Sequence, residues 1–139
     1  MTKEIKMKKI ILAMLLLSIT LFAEFKTIDN TAFKKLKKEG VLVIDIRTKG
    51  EWKDTGIIEG SRKMTFFSEQ GQPLFADWFF ELGQILKDKS EPFIIYCAHA
   101  SRTAQLGRFL TKEGFENVYE LKAGIEDGWI KFGEKTVKK

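Results

Sequence analysis

From residue 24 onward the apolar positions follow two rhythms. The first is a short unbroken run. Val41-Leu42-Val43-Ile44, closed by Asp45, and Phe93-Ile94-Ile95-Tyr96, opened by Glu91-Pro92, are runs of this kind. Such runs suit strands buried on both faces of a parallel sheet. Val118 to Leu121 reads as a further short strand and Ile57-Ile58 as another. The second rhythm is helical. Asn30 is placed to cap a helix over 31–39, with Phe33 and Leu36 on one face and lysines on the other, and Gly40 stops it. A short helix is expected over 51–54, closed by Gly56. After a Gly71-Gln72-Pro73 turn, Phe75, Trp78, Phe79, Leu82, Ile85 and Leu86 set a helix over 74–86. Two more follow, over 103–113 up to Gly114 and over 125–132, with a lysine-rich tail read as frayed. Strands alternating with helices predict an α/β fold whose mainly parallel sheet is flanked by helices.

Before this pattern begins, the chain has a different character. Lys3, Lys6, Lys8 and Lys9 are followed by an apolar stretch over 10–22, then Ala23 and a polar turn at Glu24. A charged start, a short apolar run and a small residue at its end make residues 1–23 a secretory signal peptide. The stretch is short for a membrane span. The domain proper is then 24–139, expected in the periplasm or outside the cell. The alternative is an uncleaved N-terminal anchor, the only route by which this chain would meet a membrane.

Charge and cysteine content narrow the chemistry. The four N-terminal lysines against Glu4 supply +3 of a formal net charge of +5, leaving +2 for 24–139. That excess does not argue for nucleic acid, though it leaves room for a mildly basic cleft. One cysteine and one histidine exclude a disulfide framework and a zinc site built on paired ligands. No metal or other cofactor is expected.

The one cysteine stands where chemistry is expected. Cys97 closes the 93–96 strand, and Ala98, His99, Ala100, Ser101, Arg102 and Thr103 lead from it into the next helix. Ligands of parallel α/β sheets bind beyond the carboxyl ends of the strands. A helix start offers unpaired N–H groups and the positive end of its dipole, and a curled loop of small residues adds more donors. Together these favour thiolate over thiol without a histidine base.

The Cys97-to-Thr103 segment resembles the active-site loop of the rhodanese family, in which a cysteine, four residues, an arginine and a serine or threonine follow a buried strand. Ala100 stands where the family often has glycine. Val43-Ile44-Asp45-Ile46-Arg47 with Glu51-Trp52 is similar to the family's aspartate-x-arginine and glutamate-aromatic signature. Gly56-Ile57-Ile58-Glu59-Gly60-Ser61 resembles its glycine-histidine-isoleucine-x-glycine-alanine segment, with Ile57 for histidine and Ser61 for alanine. Val118 to Gly124, followed by Trp129, resembles its closing strand and paired-glycine turn, with Ala123 for the first glycine. The resemblance implies a three-layer rhodanese-like fold and a sulfurtransferase. Such an enzyme moves sulfane sulfur from thiosulfate or polysulfide to a thiol or cyanide acceptor through a persulfide on Cys97. Related cysteine phosphatases place five residues between cysteine and arginine, and this chain has four, which argues against a phosphatase or arsenate reductase. A non-catalytic periplasmic sulfur carrier remains an alternative, and the oligomeric state is left open.

The remaining site candidates divide by expected role. Arg102 either binds the donor or braces the loop. His99 either rims the pocket or faces solvent, and Thr103 is expected to cap the helix. The resemblance implies that Asp45, Arg47 and Glu51 lie near the cleft; they are read as bracing ion pairs ahead of direct substrate contacts, and Arg62 as a surface residue that could add charge at the mouth. Trp52 and Trp129 are read as packing, and Phe66 and Phe67 as lining the entrance.

Overall fold

The computed structural model describes residues 3–7 and 23–138. The apolar run over 10–22, which carries the signal-peptide expectation, lies outside the described residues. No helix among the described residues is long and apolar enough to cross a membrane.

Five strands form one parallel sheet: β1 (Glu24–Ile28), β2 (Leu42–Asp45), β3 (Arg62–Lys63), β4 (Phe93–Tyr96) and β5 (Asn117–Leu121). Their spatial order is β1-β5-β4-β2-β3. The helices are α1 (Asn30–Lys38), α2 (Lys49–Thr55), α3 (Phe75–Ile85) and α4 (Ser101–Lys112), followed by a π-helical turn (Gly124–Trp129) and a 3₁₀ turn (Ile130–Phe132). The apolar runs of β2 and β4 are the sheet's centre, paired Leu42 to Phe93 through Asp45 to Tyr96. Their alternate residues feed two cores. Ile44, Phe93 and Ile95 pack with Trp78 and Leu82 of α3 and Leu106 and Leu110 of α4. Val43, Ile94 and Tyr96 pack with Phe33 of α1 and with Ile125 and Trp129 of the π turn. Two helical layers therefore enclose the sheet, each fully buried Leu or Ile contributing about 1.5–3 kcal/mol.

The order of strands decides where a ligand can bind. From β2 the chain moves outward to β3, whereas from β4 it moves the other way, to β5. The segments leaving the carboxyl ends of β2 and β4 diverge, and a crevice opens between them.

Several boundaries differ from expectation, each for a local reason. The edge strand β1 was not expected; its parallel pairing with β5 is secured by Phe25, whose ring lies where a Cβ on Gly107 of α4 would be only 2.3 Å away. Asp29, not Asn30, caps α1, accepting from Ala32 N at 2.8 Å, and frees the Asn30 amide to donate to Gly128 O at 2.8 Å. Ile57 and Ile58 are buried but form no sheet strand; Ile57 bridges antiparallel to Val137, and the strand beside β2 comes later, at β3. That bridge also docks the tail expected to fray, with Thr136 Oγ1 donating to Thr55 O and Trp129 Nε1 to Lys135 O, both at 2.8 Å.

The final helix is a π turn. Ala123 (φ 61°), just before it, and Gly124 (φ 71°), its first residue, both adopt left-handed backbone. An alanine there is strained by about 1–2 kcal/mol relative to right-handed backbone. Ala123→Gly is expected to raise the melting temperature by about 2–5 °C in thermal unfolding. A fall would contradict the strain.

Candidate active site

The crevice receives α2 from the β2 side and the Cys97 loop from the β4 side. Thr48 caps α2 in a reciprocal arrangement. Its Oγ1 accepts from Glu51 N at 3.5 Å, and Thr48 N donates to Glu51 Oε2 at 3.0 Å. The Thr-Lys-Gly-Glu spacing is the sequence signature of this capping box and starts the helix earlier than the expected residue 51. It fixes the Glu51 carboxylate, which then takes two parallel bonds from Arg102: Nη1 to Oε2 at 2.9 Å and Nη2 to Oε1 at 2.5 Å. Arg102 thus links α4 to α2 across the crevice.

Glu51 is held in its charged form. Burial favours the neutral carboxyl, but the Arg102 guanidinium and the Thr48 amide outweigh it and bring the pKa down to about 2 from 4.5. A carboxylate whose folded pKa is depressed adds stability that is complete above the unfolded value and lost as pH falls through the folded one. Glu51→Gln is therefore expected to melt about 4–8 °C below wild type at neutral pH, a cost of about 1–2 kcal/mol after allowing for solvent screening. The gap should close between pH 4.5 and 2. A gap that does not change with pH would rule this out.

Beneath this bridge lies a buried brace. Asp45 and Arg47 are both 0% exposed. Arg47 Nη2 and Nε bond the Asp45 carboxylate at 2.8–3.2 Å, while Nη1 donates to Thr55 Oγ1 at 2.7 Å and Nη2 to Gly56 O at 2.6 Å. The pair joins the end of β2 to the end of α2. Tyr96 lies beside it, and burial, with the Asp45 charge adding to it, pushes its phenol pKa far upward. The phenol accepts from Ile58 N at 3.1 Å and donates to Ser61 Oγ at 3.0 Å.

Cys97 itself is 0% exposed and packs on the α3/α4 face with Ile95, Phe66 and Leu106. The sulfur thus lies beneath the loop, because strand alternation carries residue 97 to the same face as Phe93 and Ile95. The loop above is pinned through its carbonyls. Ile125 N donates to Cys97 O at 2.9 Å and Glu126 N to Ala98 O at 3.0 Å. Only glycine fits at 124, where a Cβ would stand 2.3 Å from Ala98 O. Ala100 has φ 65°, the left-handed geometry for which the family's glycine is suited.

Other candidates fall in different places from those expected. The helix starts at Ser101, so Thr103 is no cap but a buried residue of its first turn, with Oγ1 3.7 Å from Cys97 Sγ. His99 stays at the surface between two carboxylates, Nδ1 2.8 Å from Asp127 Oδ2 and Nε2 2.8 Å from Glu126 Oε2. Arg62 pairs with Glu81 at 3.2 Å on the outer edge strand. Phe66 is core at 2% exposure, whereas Phe67 lines a cleft of about 680 Å³ bordered by Thr48, Glu51, Asp54, Glu69 and Arg102. Three carboxylates against one guanidinium make this cleft acidic, not mildly basic. Trp129 packs at 6% exposure on Phe33, and Trp52 is half-buried with Lys63 Nζ 5.4 Å from its ring. No cluster of His, Cys, Asp and Glu among the described residues could hold a metal ion.

Comparison with known proteins gives the family and the fold. A family model described as Rhodanese-like domain matches residues 29–131. An uncharacterized protein of Rickettsia rickettsii is 30% identical over 94 residues, covering 66% of this chain and 74% of that protein. The tRNA uridine(34) hydroxylase of Staphylococcus carnosus is 32% identical over 101 residues, covering 72% of this chain but only 30% of that enzyme. Among solved structures, the polysulfide-sulfur transferase homodimer of Wolinella succinogenes superimposes with a TM-score of 0.63 at 22% identity, covering 86% of this chain and 82% of that one.

Proposed function

Since the chain belongs to the Rhodanese-like domain family, we propose that it is an exported sulfurtransferase that carries sulfane sulfur as a persulfide on Cys97. The observation that supports this reading is the position of the sulfur. Cys97 closes the central strand β4 at the switch point of the sheet, with Thr103 Oγ1 3.7 Å from Sγ and Arg102 at the head of the following helix. Thiosulfate or polysulfide is the donor and a thiol or cyanide the acceptor; polysulfide is suggested by the Wolinella succinogenes protein's activity.

The thiolate attacks the outer sulfur of the donor, and the persulfide forms as a covalent intermediate. First-turn amides of α4, which lack partners within the helix, supply donors for its charge. Burial of Sγ sets a condition on access. The donor must displace part of the cover, and the Arg102–Glu51 bridge is the part that borders the cleft. Released from Glu51, the Arg102 fork suits an oxyanion. The acidic cleft beside it suits a neutral acceptor thiol better than a second anion.

Steady-state assay of thiocyanate formation from thiosulfate and cyanide tests this. Parallel double-reciprocal lines are expected, as two half-reactions require. Intersecting lines, or aryl-phosphate hydrolysis faster than sulfur transfer, would overturn the reading. The full burial of Cys97 also favours a second form of it, a carrier that holds its sulfur. A carrier would load one sulfur per chain, keep it through dialysis and turn over slowly with cyanide.

A further inference from the structure

Glu120 is a carboxylate in the middle of β5, 7% exposed, on the face of the sheet that carries Cys97. Thr103 Oγ1 donates to its Oε2 at 2.6 Å, and Thr103 Oγ1 is in turn the polar atom 3.7 Å from Cys97 Sγ. Thr103 has one hydroxyl proton, and Glu120 is a nearer acceptor than Ala100 O at 3.1 Å. With that proton committed, the hydroxyl oxygen is free to accept from the thiol. On the far side, Thr27 of the exposed edge strand β1 donates to Glu120 Oε1 at 2.9 Å. A single chain of contacts therefore runs Cys97, Thr103, Glu120, Thr27, from the buried sulfur to the edge of the sheet.

We propose that Glu120 takes the Cys97 thiol proton through Thr103 and holds it while the persulfide forms. This inference rests on the sulfurtransferase reading and adds the proton path that reading lacks. Cys97 passes its S–H proton to Thr103 Oγ1 while Thr103 passes its O–H proton to Glu120 Oε2. The resulting thiolate bonds to the outer sulfur of thiosulfate, the donor's S–S bond breaks, and sulfite leaves with that electron pair. One carboxylate charge is replaced by one persulfide charge, so the buried site keeps its net charge throughout. Glu120 touches no reacting atom; it positions and polarises Thr103, which does.

The other charged groups around the loop are matched among themselves. Arg102 of α4 pairs with Glu51 of α2, Asp45 of β2 with Arg47, and His99 sits between Glu126 and Asp127 of the π turn. Lys26 and Glu24 of β1 pair with each other at 3.3 Å. This leaves the Glu120 carboxylate as the acceptor in contact with the sulfur's own hydrogen-bond chain.

The test is the rate of the first half-reaction. Persulfide formation with thiosulfate is followed by quenched-flow mass spectrometry at pH 6, 7 and 8, with thermal unfolding as a control for folding. In wild type the thiol proton passes to Glu120 inside the site, so the rate should vary less than about threefold across this range. In the isosteric Glu120→Gln the thiol must give its proton to solvent. The rate should rise about tenfold per pH unit, starting about 10²-fold below wild type at pH 6. Thr103→Val breaks the same chain and should show the same slope, whereas Thr103→Ser, which keeps the hydroxyl, should show the flat profile. A folded Glu120→Gln or Thr103→Val with the wild-type profile overturns the proton path and leaves the persulfide reading standing. Wild type that forms no persulfide at all removes both.

Discussion

Cys97→Ser is expected to reduce sulfur transfer from thiosulfate to cyanide by at least about 10³-fold, with a melting temperature within about 4 °C of wild type. The two halves of this result have separate origins. A serine hydroxyl is not ionised near neutral pH and forms no persulfide, so the covalent route closes. The fold is spared because the substitution is nearly isosteric and the new hydroxyl meets Thr103 Oγ1, already beside Sγ at 3.7 Å. A buried free cysteine can also be plain packing, and 0% exposure fits that as well. Kinetics decide between the two: a packing cysteine would leave Cys97→Ser fully active.

Arg47→Met is expected to cost about 3–5 kcal/mol of stability, lowering the melting temperature by roughly 12–20 °C. Arg47 and Asp45 are both fully buried, and the guanidinium satisfies the carboxylate, Thr55 Oγ1 and Gly56 O together. Removing it leaves the buried Asp45 charge without its guanidinium partner, though still bonded by Arg47 N at 3.0 Å. Replacing both partners in Asp45→Leu/Arg47→Met should recover much of the loss, because an apolar pair of similar volume removes the stranded charge. Thermal unfolding of the single and double variants checks both. A single-variant loss below about 4 °C would mean that the pair does not brace the end of β2. Because the brace holds the carboxyl end of α2, its loss should also loosen the Arg102–Glu51 bridge.

The central strands were legible because both faces of β2 and β4 are buried, and an apolar run says so directly. The position of Cys97 at the end of β4 and the four-residue spacing to Arg102 also trace to the chain. Edge features were harder to read. β1 is half-exposed and takes its place from Phe25 packing over Gly107, a contact 82 residues away in sequence. The tail is held by Val137 against Ile57, again a long-range pairing that no local composition announces. The partner of Arg102 was obscured for a related reason. The resemblance groups Glu51 with Asp45 and Arg47, but the Thr48 cap turns its carboxylate toward α4 instead. Glu120 gave no signal at all, since a glutamate in a short strand at 118–121 reads as a solvent-facing residue until α4 is folded over it.

Sulfur on Cys97 is the claim on which the rest depends, and intact-mass spectrometry of the purified domain measures it most directly. Samples are compared before and after incubation with thiosulfate and with polysulfide, alongside Cys97→Ala. The wild-type chain is expected to gain the mass of one sulfur atom, which cyanide or a thiol then removes, and Cys97→Ala is expected to gain nothing. A wild-type mass unchanged by either donor, or equal sulfur uptake by Cys97→Ala, would contradict the claim.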